Sequence, residues 1–424
     1  MQSFCTLPEW IRLEHDVAKI LTNQEQHGWY FDEEAAWELE STLRRELRDL
    51  TEVLQRRFPY VPGAEFTPKR DLRTRGYVAG APFTKLKDTN LNSRDHLSWI
   101  LKTYFGWTSP LMTPTGKPVI DETSLKIAHS DGVSIAPTLL RILEIGKHLG
   151  MISQGVNAWL KLCTTAKRIH HHCSVGCATF RCSHNKPNLA QVPSGSEFRK
   201  LFLPTPGQVM VGADLSGVEL RMLSHYLARW DSGRYRDILL NGDIHQTNAD
   251  KIGISRKLVK TVTYAFLYGA GDLKIGKSYD NGLSDAKAKA KGKEIRTAYV
   301  AAIDGLADLL TAVKDAASRG FIKAIDGRKI QVDSPHKALN YLLQGSSAVL
   351  AKRWLYIAHT HTRDICCSQL AFVHDELQYE CDPSHAEILK SHLETSATEA
   401  GSYYKLRCPI AAEGKIGSNW AEVH

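Results

Sequence analysis

A long apolar run is absent from this sequence of 424 residues, and that absence excludes a membrane helix. No stretch approaches the roughly 18 consecutive apolar residues that a helix needs to cross a bilayer. The opening residues, MQSFCTLPEWIRLEHD, also lack the charged and then apolar layout of a secretory signal peptide. The sequence has no internal repeat and no low-complexity tail. We therefore expect a cytoplasmic protein that does not contact a membrane.

Paired cysteines of the kind found in structural zinc sites are also missing. The nine cysteines are irregularly spaced, and nothing indicates secretion, so reduced thiols are the default. The block HHHCSVGCATFRCSH contains Cys173, Cys177, Cys182 and His184 but no CxxC pair. We expect no structural zinc in this block.

Charge gives the first indication of a partner. The composition, 43% hydrophobic and 24% charged, is that of an ordinary globular protein, and the length suits two or three domains. The net charge is +8, and residues 251–300 alone hold eleven Lys or Arg against four Asp or Glu. Such a block suits a polyanion such as nucleic acid, although a solvated helix face is the alternative. For the stretch DAKAKAKGKEIR we favour the solvated face.

Hydrophobic periodicity divides the chain into helical and strand-like parts. Residues 8–57 show a helical pattern, and a basic stretch rich in Pro and Gly at 60–90 indicates an exposed excursion. Residues 167–212 are strand-like, and residues 216–320 are mostly helical. The stretch GFIKAIDGRKIQV predicts a hairpin. We expect an α+β fold, with helices around a central sheet whose strands come from distant parts of the chain.

Two of the apolar strands end in an aspartate. Asp214 in VMVGADLSGVELRMLSHY precedes a helix with Glu219 in its first turn, and Asp375 in LAFVHDELQYE lies at the turn between two short strands. Singly, each aspartate would pass as a helix cap or a turn residue. Adjacent strands would bring the two carboxylates together, where they repel unless a divalent cation lies between them. Mg²⁺ prefers such oxygen ligands, and two of these ions would suit phosphoryl transfer.

The stretch SRKLVKTVTYAFLYG carries cations and aromatic residues on one helix face. Arg256, Lys260, Tyr264 and Tyr268 follow one another at steps of four, so they form a stripe. Arginine can grip phosphate oxygens at two points, while lysine acts as a point charge. The stripe could therefore hold a triphosphate at one end and a sugar and base at the other.

Taken together, these blocks resemble family A DNA polymerases, the bacterial DNA polymerase I family, and most of all the replicative polymerases of short-tailed phages. DLSGVELRMLSHY and VHDEL resemble the two palm motifs, and RKLVKTVTYAFLYGAG resembles the fingers motif. Three further stretches also resemble sequence blocks of this family: RCSHNKPNLAQVP, ALNYLLQGSSA and EGKIGSNWAEVH. The resemblance implies a right-hand polymerase fold, with an antiparallel palm sheet and mostly helical thumb and fingers.

The same resemblance implies how the chain is divided. The expected regions are 1–165 for an N-terminal helical region and thumb, with 60–90 as an exposed basic thumb insertion, 166–235 for the first part of the palm, 236–330 for the fingers, and 331–424 for the second part of the palm. No segment resembles the 3′–5′ exonuclease domain that usually precedes this core. We therefore expect no proofreading by this polypeptide.

Residue roles also follow from the resemblance. Asp214 and Asp375 would bind two Mg²⁺ ions, with Mn²⁺ as a substitute, and the backbone carbonyl of Leu215 would be a further ligand. Glu376 would support this site without being a principal ligand. The implied nucleotide contacts are Arg256, His245 and the catalytic Lys260 at the triphosphate, Tyr264 near the sugar, Tyr268 near the templating base, and Glu219 where it would block a ribose 2′-hydroxyl. The implied primer-template contacts, largely in the minor groove, are Arg181, Asn340, Gln344 and His374.

One position departs from the family. Where related polymerases commonly have Thr-Gly-Arg, this chain has Thr179, Phe180 and Arg181. A bulky residue at that position could shift Arg181.

The implied activity is DNA-templated DNA synthesis, in which the primer 3′-oxygen attacks the α-phosphorus of a dNTP. Primer-template DNA and dNTPs would be the substrates, and the setting would be replication of a phage genome in the host cytoplasm. Further candidate partners are a separate exonuclease subunit, a processivity factor at the thumb insertion, a helicase-primase and a single-stranded DNA-binding protein.

Three alternatives have to be weighed. A single-subunit RNA polymerase shares the palm and fingers, but Glu219 argues against it because a ribose would need that room. A non-catalytic DNA-binding relative would have no reason to keep the two aspartates together with Arg256 and Lys260. GDLKIGKS, residues 271–278, matches the phosphate-loop pattern of ATPases, but a helix and not a strand is predicted before it.

Overall fold

The computed structural model describes residues 7–424. The first six residues of the region predicted at 1–165 therefore lie outside the described residues. The chain forms two compact units, one made of the residues up to Ala36 together with Val156–His424, and the other of Trp37–Gly155. The limits of palm, fingers and thumb remain predictions.

Helices dominate the described part of the chain. In chain order they are α1 (Glu9–His27), α2 (Glu33–Arg57), α3 (Arg94–Phe105), α4 (Glu122–Ser130), α5 (Ala136–Leu149), α6 (Trp159–Leu162), α7 (Ser196–Arg199), α8 (Val218–Leu227), α9 (Arg234–Asn241), α10 (Ile244–Ile252), α11 (Arg256–Leu267), α12 (Asp272–Tyr279), α13 (Asp285–Ala302), α14 (Leu306–Ala317), α15 (Ala338–His361) and α16 (Ala386–Tyr403). Of the helices in residues 7–424, none combines the length and the apolar character that a bilayer crossing requires.

Short strands account for most of the remaining regular structure. They are β1 (Trp29–Phe31), β2 (Tyr60–Phe66), β3 (Phe83–Asp88), β4 (Arg168–Ile169), β5 (His172–Ser174), β6 (Ser183–Asn185), β7 (Phe202–Leu203), β8 (Val209–Leu215), β9 (Phe321–Lys323), β10 (Lys329–Gln331), β11 (Cys367–Val373), β12 (Glu376–Cys381) and β13 (Ala412–Gly417). The α+β class predicted from the sequence is confirmed, as are the mostly helical segment 216–320 and the hairpin formed by β9 and β10.

The central sheet has four strands in the order β11-β12-β8-β13, and every neighbouring pair is antiparallel. β8 is a nearly continuous apolar run, as expected for a strand in the middle of the sheet. β12 is equally buried but alternates, with Glu376, Gln378 and Glu380 between apolar residues. The sheet packs on α16, whose buried Leu389, Leu393 and Ala397 recur every four residues. The strands therefore come from distant parts of the chain, as the sequence predicts.

A second, aromatic core lies beside this sheet. The three-stranded sheet β4-β1-β7 contributes Trp29 and Phe202, whose ring centroids are 5.2 Å apart. Trp420, near the end of the chain, packs against both rings, with centroids at 4.8 Å from Trp29 and 5.5 Å from Phe202. The C-terminal block is thus built into the core of the same unit.

Helices α12 and α13 cross at two glycines. A methyl group on Gly276 would lie 1.7 Å from the backbone oxygen of Ala288, and one on Gly292 would lie 1.8 Å from the backbone oxygen of Asp272. Because real side chains cannot approach backbone so closely, both positions require glycine. Gly276 of GDLKIGKS and Gly292 of DAKAKAKGKEIR thus have a packing role.

The unit formed by Trp37–Gly155 has its own core, in which Leu97, Leu101, Leu125 and Leu139 are buried. The hairpin of β2 and β3 extends from this unit with most of its side chains exposed. The predicted exposed basic excursion at 60–90 is therefore a β-hairpin and the loop that joins its strands.

Substituting the crossing glycine should loosen α12 and α13. We expect Gly292→Ala to destabilise this helix pair by about 1–3 kcal/mol, because its methyl group displaces backbone. The matched control is Gly146→Ala in α5, which meets nothing within 4 Å and should stabilise by about 0.5–1 kcal/mol through lower chain entropy. Hydrogen–deuterium exchange of peptides covering α12 and α13 measures the effect, and unchanged protection in Gly292→Ala would contradict the packing argument.

Candidate active site

Asp214 and Asp375 lie next to each other at one edge of the central sheet. β8 and β12 are antiparallel neighbours, with Asp214 opposite Glu376. The amide of Leu215 donates a hydrogen bond of 3.0 Å to the carbonyl of Asp375. The two aspartates, which are far apart in sequence, are thus placed by one strand pairing.

Burial and mutual repulsion make both carboxyl groups hard to ionise. Burial, followed by the charges of Asp214 and Glu219, raises the pKa of Asp375 to about 7. Burial and the charge of Glu376 raise the pKa of Asp214 to about 6. The Asp214 residue is nevertheless exposed, so its carboxyl group opens to solvent on one side while protein crowds the others.

The donor set at this edge fits a divalent cation. No Lys, Arg or His among residues 7–424 forms a salt bridge with Asp214 or Asp375. Two carboxylates that repel each other in this way attract a hard cation that prefers oxygen ligands. Within the same residues no group of three or more His, Cys, Asp and Glu side chains is arranged to hold a metal, so the carboxylate pair would need further ligands from backbone or substrate.

Glu376 is occupied by other contacts. Its Oε1 accepts hydrogen bonds of 2.6 Å from both Gln378 and the indole of Trp420, and its Oε2 is 3.0 Å from Nδ1 of His424. Burial alone would raise the pKa of this carboxyl, but these partners outweigh burial and lower it. Glu376 is therefore a fixed negative charge beside Asp214, and sequence reasoning missed Trp420, Gln378 and His424 as the residues that hold it. For Trp420 and His424, the resemblance of EGKIGSNWAEVH to a family block was the only signal in the sequence.

Glu219 connects helix α8 to two other parts of the site. Gly217 takes a left-handed φ of 55° and makes the sharp turn from β8 into α8, which places Glu219 in the first helical turn. Its Oε1 accepts a hydrogen bond of 2.8 Å from Arg181 and one of 3.2 Å from the hydroxyl of Tyr268. One carboxylate oxygen of Glu219 thus connects Arg181 and Tyr268, and all three residues are predicted to lie at the nucleotide or the DNA.

Helix α11 carries the predicted stripe on its outer face. Arg256 and Lys260 are exposed, whereas Val259, Val262 and Phe266 on the opposite face are buried. Tyr268 ends the helix, and its ring stacks on that of Tyr264 with centroids 6.5 Å apart. The exposed face is therefore available for a ligand.

His245 lies beside this stripe. Its ring centroid is 6.2 Å from that of Tyr264, and burial lowers its pKa. Asp243, the N-cap of α10, accepts a hydrogen bond of 2.6 Å from Arg256. His245, Arg256 and Tyr264 therefore belong to one patch.

The remaining predicted DNA contacts lie on α15 and at the β11–β12 turn. Asn340 donates a hydrogen bond of 2.9 Å to the carbonyl of Leu267 at the end of α11, and Gln344 follows one turn later on α15. His374 takes a positive φ of 59° in the turn before Asp375. Burial and the charge of Arg181 lower the pKa of the His374 imidazole.

Three stretches resemble other motifs: GDLKIGKS, the cysteine block at residues 170–184, and DAKAKAKGKEIR. GDLKIGKS forms the helix α12 and follows the helix α11, so it is not the loop between strand and helix that a phosphate site needs. Cys173 and Cys182 are buried at the β5–β6 hairpin, with Cys173 Sγ 4.0 Å from His184. Lys287, Lys289 and Lys293 on α13 are exposed, as a solvated face requires.

Comparison with known proteins identifies the family. A sequence model of DNA polymerase family A matches residues 78–422. The DNA-directed DNA polymerase of Enterobacteria phage T3 is 32% identical, over 98% of this chain and 70% of that protein. The DNA-directed DNA polymerase of Escherichia phage T7 is 31% identical with the same coverage of 98% and 70%.

A solved structure agrees with this result. The POL domain of Pol1 from M. smegmatis, solved in complex with a DNA primer-template and dNTP, superposes with a TM-score of 0.77 at 21% identity, over 97% of this chain and 70% of that one. The fold is that of a polymerase domain. The chain belongs to DNA polymerase family A. It is a DNA-directed DNA polymerase, and enzymes of this family use divalent metal ions.

The repulsion at the sheet edge predicts an unusual pH dependence of stability. Because the folded-state pKa values of Asp214 and Asp375 are raised, their contribution to stability is present at low pH and is lost as the pH rises through about 6 to 7. Without divalent ions, Asp375→Asn should therefore melt higher than the wild type at pH 8, by roughly 2–4 °C. The difference should shrink at pH 5, where the wild-type carboxyl groups are protonated.

Thermal melts in EDTA at the two pH values test this, with Asp364→Asn as the matched control because Asp364 is an exposed aspartate just before β11. Added Mg²⁺ should raise the melting temperature of the wild type more than that of Asp375→Asn. A melting difference that is the same at pH 5 and pH 8 would argue against repulsion between the aspartates.

Proposed function

We propose that this chain extends the 3′ end of a primer on a DNA template, using dNTPs and releasing pyrophosphate. The observation that carries the proposal is the carboxylate pair Asp214 and Asp375 at the ends of two neighbouring strands. Asp214 is exposed, Asp375 is half-buried, and neither forms a salt bridge within residues 7–424. The solved relative with primer-template and dNTP supports the choice of substrates by analogy. Similarity to phage enzymes supports a role in phage genome replication.

Two Mg²⁺ ions would be held by the carboxylates of Asp214 and Asp375 and the backbone carbonyl of Leu215, with Mn²⁺ as a substitute. When bound, such ions lower the pKa of an attacking hydroxyl and neutralise charge on a departing phosphate. Because the sheet already holds these metal-binding groups side by side, the reacting groups can be positioned without rearrangement of the central sheet.

Helix α11, which lies in the predicted fingers region, would bind the nucleotide. Arg256, Lys260 and His245 would contact the triphosphate, and charge stabilisation by Lys260 would assist the departure of pyrophosphate. Tyr264 would pack near the sugar. Tyr268, at the end of the same stripe, would lie near the templating base.

Four residues would contact the primer-template. Arg181, Asn340, Gln344 and His374 come from the β5–β6 loop, α15 and the β11–β12 turn. Polar side chains can bind the acceptors that every base pair shows in the minor groove, without sequence preference. That is the contact a replicative enzyme needs.

Other partners would act through other surfaces. The exposed hairpin at 60–90 is the candidate site for a processivity factor, because Leu72, Val78 and Leu86 are exposed there. A helicase-primase, a single-stranded DNA-binding protein and a separate exonuclease subunit are proposed only by analogy with replication systems.

The first test is primer extension with Mg²⁺ and four dNTPs. Asp375→Asn keeps the shape of the side chain but removes its charge, so we expect a loss of several orders of magnitude in rate. Asp364→Asn should retain wild-type activity. Equal rates for Asp375→Asn and the wild type would place the catalytic site elsewhere, and no extension by the wild type would favour the non-catalytic alternative.

A second test concerns the choice of sugar. Glu219→Ala should lower discrimination against ribonucleotides by roughly 10–200-fold, the range that a change in pocket size produces. Glu219→Gln is the matched control, since it keeps the bulk of the side chain. The ratio of kcat/KM for dNTP and NTP is the measurement, and unchanged discrimination in Glu219→Ala would remove Glu219 from this role.

A further inference from the structure

Phe180 has a backbone conformation that bulky residues rarely adopt. Its φ is +60°, in the loop that joins β5 to β6, and its amide donates a hydrogen bond of 2.9 Å to the carbonyl of Cys177. A side chain in this left-handed region crowds the following carbonyl, and glycine would avoid the cost. Since the chain keeps phenylalanine here, the ring must have a partner that stabilises it.

That partner is Arg328 at the β9–β10 hairpin. Its guanidinium carbon is 4.9 Å from the centroid of Phe180 and 5.5 Å from that of Trp10. Arg328 is only 3% exposed. It forms an ion pair with Asp326 at 2.7 Å and a second one with Glu14. The guanidinium is therefore neutralised on its edges and has its faces left for the two rings.

The loop is supported on a second side by α15. A methyl group on Gly345 would lie 3.7 Å from the carbonyl of Thr179 and 2.5 Å from the side chain of Ile330. Gly345 therefore leaves room for the side chain of Ile330, which lies on the same hairpin as Arg328, while the carbonyl of Thr179 lies at ordinary contact distance. The loop thus contacts both α15 and Arg328.

The residue after Phe180 is Arg181, whose guanidinium donates the hydrogen bond of 2.8 Å to Glu219. Any change in the Phe180 backbone displaces the point from which Arg181 extends. We propose that the Phe180–Arg328 stack is a positioning device that aims Arg181 at the minor-groove edge of the primer terminus. This inference rests on the proposed function, because the DNA contact of Arg181 is itself part of that proposal.

The contact can be probed through one atom of the DNA. Arginine at the minor groove would donate to the purine N3, and a primer that ends in 3-deazaguanine lacks that acceptor. If Arg181 makes the contact, the wild type should add the next nucleotide about tenfold more slowly to the 3-deazaguanine primer than to the guanine primer. Arg181→Ala should be slow on both primers, without a difference between them.

Phe180→Leu keeps an apolar side chain but removes the ring face. It should be about tenfold slower than the wild type on the guanine primer and should lose most of the 3-deazaguanine effect. Phe180→Tyr should restore the wild-type pattern. The matched control is Phe321→Leu, which breaks the cation–π contact of Lys329 with the half-buried Phe321, 4.4 Å apart on the same hairpin. That variant should behave as the wild type.

Single-turnover addition measures all of these rates, and Arg328→Lys supplies a second variant that keeps the positive charge but removes the planar guanidinium. A full 3-deazaguanine effect in both Phe180→Leu and Arg328→Lys would overturn the positioning role. A wild type without this effect, together with an active Arg181→Ala, would instead show that the DNA contact proposed for Arg181 is wrong. The two failures are thus distinguishable.

Discussion

Asp214 and Asp375 repel each other, and the central sheet holds them together against that repulsion. The backbone fixes the two aspartates close to each other. It does so through the antiparallel pairing of β8 with β12 and the hydrogen bond from the Leu215 amide to the Asp375 carbonyl. The packing of α16 on this sheet and the packing of Trp420 against Trp29 stabilise the arrangement. The stability of the rest of the fold therefore offsets the unfavourable free energy of this charge pair. Such a trade-off between stability and function is common at active sites.

The charges around the pair follow the same logic. Glu376 adds a third carboxylate, and its own charge is stabilised by contacts with Trp420, Gln378 and His424. Glu219 adds a fourth, bound to Arg181 and Tyr268. The result is an acidic edge next to an exposed basic stripe on α11, so cations and a polyphosphate would be attracted to neighbouring places.

Much of the candidate site could be predicted because its parts are local. Steps of four place Arg256, Lys260, Tyr264 and Tyr268 on one helix face, and strand-end positions single out the two aspartates. The support of these residues could not be predicted. Glu376 is enclosed by Trp420 and His424, which are more than forty positions away, and nothing in the local pattern indicates that contact. The same is true of Phe180 and Arg328, since a left-handed φ at a phenylalanine contradicts local preference.

The sequence by itself determined the α+β class, the helices and strands with clear periodicity, and the family. Periodicity and motif order are properties of neighbouring residues, which is why they could be read without coordinates. Only the tertiary structure decided which carboxylates are free and which are neutralised, that GDLKIGKS is a helix packed through glycine, and that Phe180, next to Arg181, contacts the buried guanidinium of Arg328. Those properties depend on burial and on contacts between distant residues, and they arise when the sheet and helices pack against one another.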